Sequence, residues 1–195
     1  MSANIQPRFN PAIFAEPVVI KYLADCPQTI PVLAAWMFDY WGDKYGMHSV
    51  QDPIDALSQR LYRNRIPLAL VAMSGSRPVA TASLKIQELA THKHFYHWLG
   101  SVFVAPEFRR RGIGSALVSR CEARAAEFGV TNLFLLTPDR EGFYRKLNWT
   151  PVDRPIYHGM HVVVMKKRLA APPYRSMLYY SNAERDYRIA DFPRF

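Results

Sequence analysis

The chain has 195 residues, of which 49% are hydrophobic and 21% are charged, so a disordered chain is excluded and one folded domain is expected. Two cysteines, Cys26 and Cys121, are too few for a disulfide framework, and we expect both to be free thiols. The net charge of +9 attracts anions; nucleic acid, a phosphate-bearing cofactor, an acidic protein or no specific partner all remain open.

Segments that would direct the chain to a membrane are not evident in the sequence. The longest apolar runs, such as Ile66 to Met73, fall far short of the roughly 20 residues that cross a bilayer. The first residues, Met1 to Arg8, contain neither the apolar core nor the cleavage site of a signal peptide. We therefore expect a cytoplasmic protein without a membrane anchor.

The first half of the chain predicts an irregular arm, a strand, two helices and a β-hairpin. Apolar residues recur at helical spacing after Thr29 and after Ser49, and each of these residues is a suitable helix cap. At Leu68 the period changes to that of a strand, and a turn around Gly75 follows. The predicted elements are an arm at 1–17, a strand at 18–23, helices from 29 to near 42 and from 49 to before 66, and strands at 68–73 and 79–87.

The second half predicts a central strand, a basic turn, an amphipathic helix that ends at Gly129, and a short helix capped by Asp139. The aromatic-rich tail at 170–195 is expected either to dock on the domain or a second subunit, or to fray. The order of elements predicts a mixed sheet with helices on its faces. The remaining predicted elements are a loop at 88–96, strands at 97–104, 132–137, 149–152 and 161–168, and a helix through 147.

A glycine-bearing basic turn, Arg109 to Ser115, connects the central strand directly to the amphipathic helix. Glycines at 112 and 114 allow close approach of a ligand, and the first turn of the helix adds free N–H groups and a positive dipole end. The turn lacks the Gly-Lys-Ser/Thr of a Walker loop and the G-x-G-x-x-G dinucleotide pattern. From the turn alone, an anion site and a solvated basic loop are both open.

Two blocks of this sequence resemble the GNAT family of N-acetyltransferases. The segment Val102 to Gly114 is similar to the acetyl-coenzyme A signature Arg/Gln-x-x-Gly-x-Gly/Ala, which follows a strand ending in Val-x-Pro. About 30 residues downstream, Phe143 to Trp149 resembles the family's Phe-Tyr-x-x-x-Gly-Phe/Trp. Asn148 replaces the usual glycine of the second block, but asparagine also tolerates a left-handed backbone.

The resemblance covers about residues 18–169 and implies one acetyltransferase domain there. It implies an α/β fold with a mostly antiparallel sheet of six to seven strands, helices on both faces and a splayed pair of central parallel strands. It also implies acetyl-coenzyme A as co-substrate, with no metal. The residues implied to bind it are Val102, Phe103, Val104, Arg109, Arg110, Arg111, Gly112, Ile113, Gly114, Ser115, Thr137, Phe143, Tyr144 and Lys146.

The resemblance implies a direct attack of an amine on the thioester, which needs an acid and a base. Tyr144 is the predicted acid, because a phenol can hydrogen-bond or protonate a departing thiolate; a packing role is the alternative. His97 is the predicted base, since a histidine can accept a proton near neutral pH. Glu88, His92 and His94 are other candidates, and water is a further one.

The acceptor is expected to be a small-molecule amine or a protein or peptide N-terminus. Trp36, Tyr40, Trp41 and Tyr45 either line its pocket or belong to the core. A different reading is a non-catalytic module that senses acyl-coenzyme A or binds nucleic acid. Because the basic residues are scattered and no nucleic-acid motif occurs, nucleic acid is not expected as a partner. The expected state is a monomer or a homodimer.

Overall fold

A computed structural model of the chain describes residues 16–170 and 187–189. Within these ranges, the chain forms four α-helices and ten strands. The helices are α1 (Ile30–Tyr45), α2 (Gln51–Ser58), α3 (Ile113–Glu127) and α4 (Glu141–Lys146). The strands are β1 (Val18–Tyr22), β2 (Leu68–Ser74), β3 (Arg77–Lys85), β4 (Trp98–Val104), β5 (Asn132–Thr137), β6 (Thr150–Asp153), β7 (Ile156–Tyr157), β8 (Met160–His161), β9 (Val163–Arg168) and β10 (Tyr187–Arg188).

Eight strands form one twisted sheet in the order β10-β1-β2-β3-β4-β5-β9-β6, while β7 and β8 form a separate hairpin. Every neighbouring pair in the large sheet is antiparallel except β4 and β5. Without the two-residue β10, the sheet has seven strands. The predicted α/β class, with a mostly antiparallel sheet and one central parallel pair, is confirmed.

Helices cover both faces of the sheet, and β2 shows how the sequence achieves this. Successive side chains of a strand point to opposite faces. Leu68 and Leu70 belong to the core formed with α3, whereas the intervening Ala69 and Val71 pack in a second core with α1 and α2. All seven residues of β2 are buried, so the strand reads as a continuous apolar run rather than an alternating one.

The two central parallel strands separate after a single register pair. Trp98 of β4 lies opposite Phe134 of β5, and the Phe134 N–H donates to the carbonyl of His97 at 3.0 Å. No further register pair joins these two fully described strands, although β4 runs on for six residues. The strands therefore splay, as the resemblance implies, and one edge of β4 is left without a strand partner.

A β-bulge in β4 sharpens this separation. The register with β3 shifts between Thr81 and Ser83, and Ser101 has a left-handed φ of 53°. A residue other than glycine seldom adopts this conformation, and bulges of this kind bend a strand and strengthen its twist. The bulge falls immediately before Val102, where the free edge of β4 begins to face β5 across a gap.

Several element boundaries differ from the prediction. The helix α1 continues past Gly42 and ends at Gly46, which has the left-handed φ of 64° that a helix terminus needs; Gly42 is buried inside the helix. The helix α2 ends at Ser58, so the prediction of a helix almost to Ile66 was too long.

Two further differences lie near α4 and after it. Asp139 does not cap α4; instead the hydroxyl of Thr137 accepts the N–H of Arg140 at 3.0 Å. The hairpin of β7 and β8 was not predicted, because two-residue strands carry too little periodicity to be read from sequence.

The two ends of the chain are described in part. Of the predicted arm at 1–17, residues 1–15 lie outside the described residues; of the predicted tail, 171–186 and 190–195 do. The described piece of the tail, β10, pairs with the outer edge of β1, with Arg188 opposite Val19 and Tyr187 opposite Ile20. In the described ranges, no helix combines the length and apolarity that crossing a membrane requires.

Candidate active site

A cavity of about 650 Å³ opens where β4 and β5 diverge. Its walls come from β4, the end of β5, the first turn of α3, and α4, and on the other side from α1, α2 and the end of β3. Within this wall the structure brings together most of the residues predicted to bind the cofactor. They are Val102, Phe103, Val104, Arg109, Arg110, Gly112, Ile113, Gly114, Ser115, Thr137, Phe143 and Tyr144.

The first turn of α3 presents free backbone donors to the cavity. Gly112 precedes the helix with a left-handed φ of 78°, and no side chain caps the terminus. The first intrahelical bond runs from the N–H of Ala116 to the carbonyl of Gly112, so the amides of Ile113 to Ser115 have no acceptor within the helix. Together with the helix dipole, these amides form a site suited to a phosphate group.

The two glycines of this turn serve different purposes. At Gly112 the positive φ disfavours any other residue, while a Cβ there would meet no atom of the described part of the chain within 4 Å. At Gly114 the backbone is ordinary, and a Cβ would lie 3.5 Å from Val104 and 3.6 Å from Phe143. A methyl group at 114 would thus make only ordinary van der Waals contacts with these two side chains, and Gly114 borders the cavity.

The three arginines of the turn do not act alike. The Nε of Arg109 donates to the carbonyl of Val104 at 3.0 Å, which ties the turn to the end of β4. Arg110 lines the cavity with a left-handed φ of 60°. Arg111 and Lys146, both predicted to bind the cofactor, are exposed and are not part of the cavity wall; the Arg111 guanidinium lies 5.3 Å from the centre of the Phe108 ring.

Tyr144 lies at the wall of the cavity, where it is 7% exposed. Its ring packs edge-on against Phe143 at 5.0 Å and against Trp149 at 6.1 Å. Burial, and next the negative charge of Asp139, raise the pKa of the Tyr144 hydroxyl above its ordinary value. The phenol therefore keeps its proton at neutral and moderately alkaline pH, which is the protonation state a general acid requires.

The turn after α4 orients Tyr144. Asn148 adopts the left-handed φ of 64° expected where the family's pattern has glycine. This lets the chain reverse, so that the N–H of Trp149 donates to the Tyr144 carbonyl at 3.1 Å. Trp149 is itself fixed by the hydrogen bond from its Nε1 to Glu122 at 2.8 Å. The expectation that asparagine preserves this turn is confirmed.

The histidines predicted as possible bases do not line the cavity. His97 stands just before Trp98, at the end where β4 and β5 are still joined, and its N–H and carbonyl are both used in backbone hydrogen bonds. Burial lowers the pKa of His97. The Nε2 of His92 is hydrogen-bonded to Asp153 at 2.8 Å, and the His94 ring contacts Phe95. Of the base candidates, Glu88 alone is part of the wall.

Glu88 belongs to a charged cluster that the sequence analysis did not identify. Its Oε2 lies 2.5 Å from the Nζ of Lys85, and both side chains are about four-fifths buried or more, at 21% and 16% exposed. The Nη1 of Arg60, also in the wall, donates to the hydroxyls of Ser83 at 3.2 Å and Ser101 at 3.3 Å. Arg60, Lys85 and Glu88 form this charged cluster.

Burial controls the electrostatics of this cluster. Desolvation lowers the pKa of Lys85 and of Arg60, and the opposing charge of Glu88 counteracts it in both cases. The cluster lies against β4 at Gly100, where a Cβ would come within 2.9 Å of Lys85 Cε and Nζ. A lysine ending a strand of apolar and small residues was the one sequence signal that could have indicated it.

Aromatic side chains close the same half of the cavity. Tyr40, Trp41 and Tyr45 of α1 line it, together with Tyr157 of β7. Trp36 does not; its ring stacks on Phe103 at 5.4 Å and belongs to the core. Burial, and then the charge of Glu88, raise the pKa of Tyr45 to about 12. Of the two alternatives left open by the sequence, pocket lining applies to Tyr40, Trp41 and Tyr45, and core packing applies to Trp36.

Comparison with known proteins agrees with this geometry. Residues 31–149 match the model of the acetyltransferase (GNAT) family. A curated relative, an uncharacterized N-acetyltransferase of Chlorobaculum tepidum, is 35% identical over 57 residues, which are 29% of this chain and 36% of the relative. The chain thus matches about a third of that relative's length.

Solved structures that share the fold include three acetyltransferases. An aminoglycoside 6'-acetyltransferase type Ii superposes with a TM-score of 0.62 at 21% identity, covering 79% of this chain and 99% of its own. The aminoglycoside 6'-N-acetyltransferase of Enterococcus faecium also gives 0.62, at 18% identity and 79% and 98% coverage. An acetyltransferase from Salmonella typhimurium, solved with its cofactor acetyl-coenzyme A, gives 0.58 at 12% identity, with 80% and 96% coverage.

Proposed function

The chain belongs to the acetyltransferase (GNAT) family, and we propose that it transfers the acetyl group of acetyl-coenzyme A to a primary amine by direct attack on the thioester. The observation that carries this proposal is the cavity at the splay of β4 and β5, which has free helix amides at one end and a buried, protonated tyrosine in its wall.

The residues present fit acetyl-coenzyme A. The amides of Ile113 to Ser115 would hold its pyrophosphate, and the free edge of β4 from Val102 to Val104 would pair with its pantetheine arm as an added strand. When bound, it supplies an activated acetyl group. Arg111 and Lys146 are left out of this proposed site, since they are exposed and do not border the cavity.

Proton transfer is assigned to two side chains in the wall. The new C–N bond forms as the C–S bond breaks, and the electron pair of that bond stays on sulfur. The Tyr144 O–H donates to that sulfur, at a position where burial keeps the phenol protonated. The proton lost from the amine passes through a water to the Glu88 carboxylate, whose Oε2 is paired with Lys85, while its Oε1 has no partner within the described chain.

We propose Glu88, acting through water, in place of His97 because the cavity wall includes the carboxylate and not the imidazole.

We further propose that the protein acts in the cytoplasm. Cys26 and Cys121 are both buried free thiols, and the reducing cytoplasm preserves that state.

Thiol release from acetyl-coenzyme A tests the proposed function. The acceptor panel holds small amines, peptides with free N-termini, and one aminoglycoside, because two of the similar structures are aminoglycoside acetyltransferases. We expect acceptor-dependent release of coenzyme A, confirmed by the mass of the acetylated product. Binding of acetyl-coenzyme A by calorimetry without turnover of any acceptor would point to a non-catalytic acyl-coenzyme A sensor, and absence of binding would refute the proposal altogether.

A further inference from the structure

The charged cluster contains two cationic side chains and one carboxylate, and no salt bridge within the described residues supplies a second carboxylate. Lys85 is paired with Glu88, which leaves the Arg60 guanidinium without a carboxylate partner within salt-bridge distance among the described residues. Its two protein partners are the neutral hydroxyls of Ser83 and Ser101. A part-buried charge without a counter-ion is costly, and such groups in clefts are commonly completed by a ligand.

The free donors of Arg60 have a defined geometry. Both serine hydroxyls accept hydrogen bonds from the same nitrogen, Nη1. The other two nitrogens, Nε and Nη2, have no acceptor in the described chain. These two nitrogens form the edge of the guanidinium that donates two parallel hydrogen bonds to a carboxylate. The serines hold the opposite side and thereby fix the plane of the group at the wall of the cavity.

Other carboxylates of the cavity wall are already engaged. The Oδ2 of Asp52 accepts the N–H groups of His48 at 2.7 Å and Ser49 at 3.4 Å, at the start of α2. Asp139 lies 3.3 Å from the Nε of Arg140. The charge of Glu88 acts on Arg60 from a distance, but its Oε2 is paired with Lys85. Among the described residues, no carboxylate of the wall therefore contacts Arg60, and an anionic ligand could fill this place.

Arg60 also lies in the half of the cavity where an acceptor would enter. It contacts Ser101 in the bulge directly before Val102, the first residue of the free β4 edge. The arginines of the phosphate-binding turn, Arg109 and Arg110, belong to the opposite end at α3. Arg60 is separated from that turn by the free β4 edge from Val102 to Val104. It is therefore not needed to bind the pyrophosphate.

We propose that the acceptor is a small amine that also carries a carboxylate, such as an amino acid, and that Arg60 binds this carboxylate through Nε and Nη2. The proposal rests on the proposed function and specifies its substrate class. The aromatic side chains of Tyr45 and Tyr157 would flank the body of the acceptor. The amine would then face Glu88 and the thioester.

A comparison of amino acids with their carboxamides tests this in the wild-type protein. The two acceptors differ only in the negative charge, and rates are compared per unprotonated amine because the carboxamide lowers the pKa of the amine. We expect kcat/KM to be about 10-fold or more higher for the acids, which is what one charge-assisted hydrogen bond contributes. Carboxamides used as well as the acids would overturn the proposal.

The variant Arg60→Gln tests whether the Arg60 side chain causes the preference for amino acids over their carboxamides. We expect the preference for the acid to fall to within about threefold, mainly through a higher KM for the acid, while kcat/KM for the carboxamide changes little. Arg65→Gln is the matched control, since Arg65 lies near in sequence, stacks on Tyr62 and is not part of the cavity wall. It removes the same charge and should keep the preference.

The outcomes separate the two proposals. An equal loss for acid and carboxamide in Arg60→Gln would mean that Arg60 only supports the bulge through Ser83 and Ser101, and the carboxylate site would be refuted. If the protein acetylates amines that carry no carboxylate and does not acetylate amino acids, the carboxylate site would be refuted as well. The proposed acetyltransferase function would still stand. If Arg60→Gln does not fold, Arg60→Lys keeps the charge but loses the two-donor edge, and a retained preference of wild-type size would contradict the bidentate geometry.

Discussion

Gly112 and Gly129 stand at the two ends of α3 with the same left-handed φ of 78°, and a Cβ at either position would meet no atom of the described residues within 4 Å. Alanine at either position should therefore cost about 1 to 2 kcal/mol of folding free energy, the penalty of a left-handed backbone. Only Gly112 borders the cavity, so we expect Gly112→Ala to weaken acetyl-coenzyme A binding at least about 10-fold, and Gly129→Ala to leave it unchanged.

Calorimetric titration measures the affinity of the two variants for acetyl-coenzyme A, and denaturant unfolding measures their folding free energies. Equal affinities in both variants would remove the phosphate site from the first turn of α3. Gly114→Val extends the test, because its Cβ position makes only ordinary contacts with Val104 and Phe143 and the added methyl groups would take up the space left for the ligand.

Tyr144→Phe removes one hydroxyl and keeps the ring in its contacts with Phe143 and Trp149. We expect kcat to fall on the order of 10²-fold, with acetyl-coenzyme A affinity and thermal midpoint close to wild type, because the hydroxyl is proposed to act on the departing thiolate. Steady-state kinetics and calorimetry measure both quantities. Wild-type turnover under conditions where chemistry limits the rate would make Tyr144 a packing residue.

The pH profile offers an independent check on Tyr144. An exposed tyrosine loses its proton near pH 10, whereas burial raises the pKa of Tyr144 above that value. The wild-type kcat should therefore not decline as pH passes through about 10, provided that the protein remains folded, as monitored by circular dichroism. A decline centred there would indicate that the essential acid ionises like an exposed phenol.

Glu141→Gln should reduce stability in a pH-dependent way. Hydrogen bonds from Arg154, and next from Arg145, lower the pKa of the Glu141 carboxyl in the folded protein. A lowered folded-state pKa means that the stabilisation is present above the unfolded value, near 4.3, and is lost as pH falls through the folded value.

We expect the thermal midpoints of wild type and Glu141→Gln to differ at pH 6 to 7, and to converge as the medium is made more acidic than pH 4. High salt should narrow the difference at neutral pH, since Glu141 is in contact with solvent. A difference that stays constant from pH 7 to pH 3 would show that the charge of Glu141 contributes nothing.

Both cysteines should be unreactive in the folded protein. Burial raises the pKa of the Cys26 thiol and, more strongly, that of Cys121, so little thiolate is available to attack a disulfide reagent. We expect no fast colour release on adding an aromatic disulfide reagent at pH 8, and two equivalents after denaturation. One rapid equivalent in the native protein would mean that a cysteine is accessible.

Long elements and the glycine-bearing basic turn could be predicted from sequence because their signals are local. The helix period after Gly112, the glycines themselves and the buried strand at Asn132 to Thr137 each occupy one short segment. The segment Phe143 to Trp149 could also be predicted from its local pattern, and Asn148 adopts the left-handed backbone conformation that asparagine tolerates.

The charged cluster could not be predicted, because it is made by tertiary contacts. Arg60 follows α2 in sequence, where an arginine is ordinarily solvated, and it meets Ser101 only because β3 and β4 pair. The sequence favours His97 as the base because this residue precedes the central strand. Its position relative to the splay depends on where β4 and β5 stop pairing, which no local pattern encodes.

The short strand β10 has a consequence for how the molecule meets its neighbours. A free strand edge offers a row of unpaired N–H and C=O groups to which another chain can add, and this is a common start of aggregation. Here β10 pairs with Val19 and Ile20 on the outer side of β1, while the opposite edge, β6, is four residues long, contains Pro151 and shifts its register. Proline cannot donate to a ladder, and an irregular edge is a poor template. Both margins of the sheet are thus protected against the growth of intermolecular β-structure.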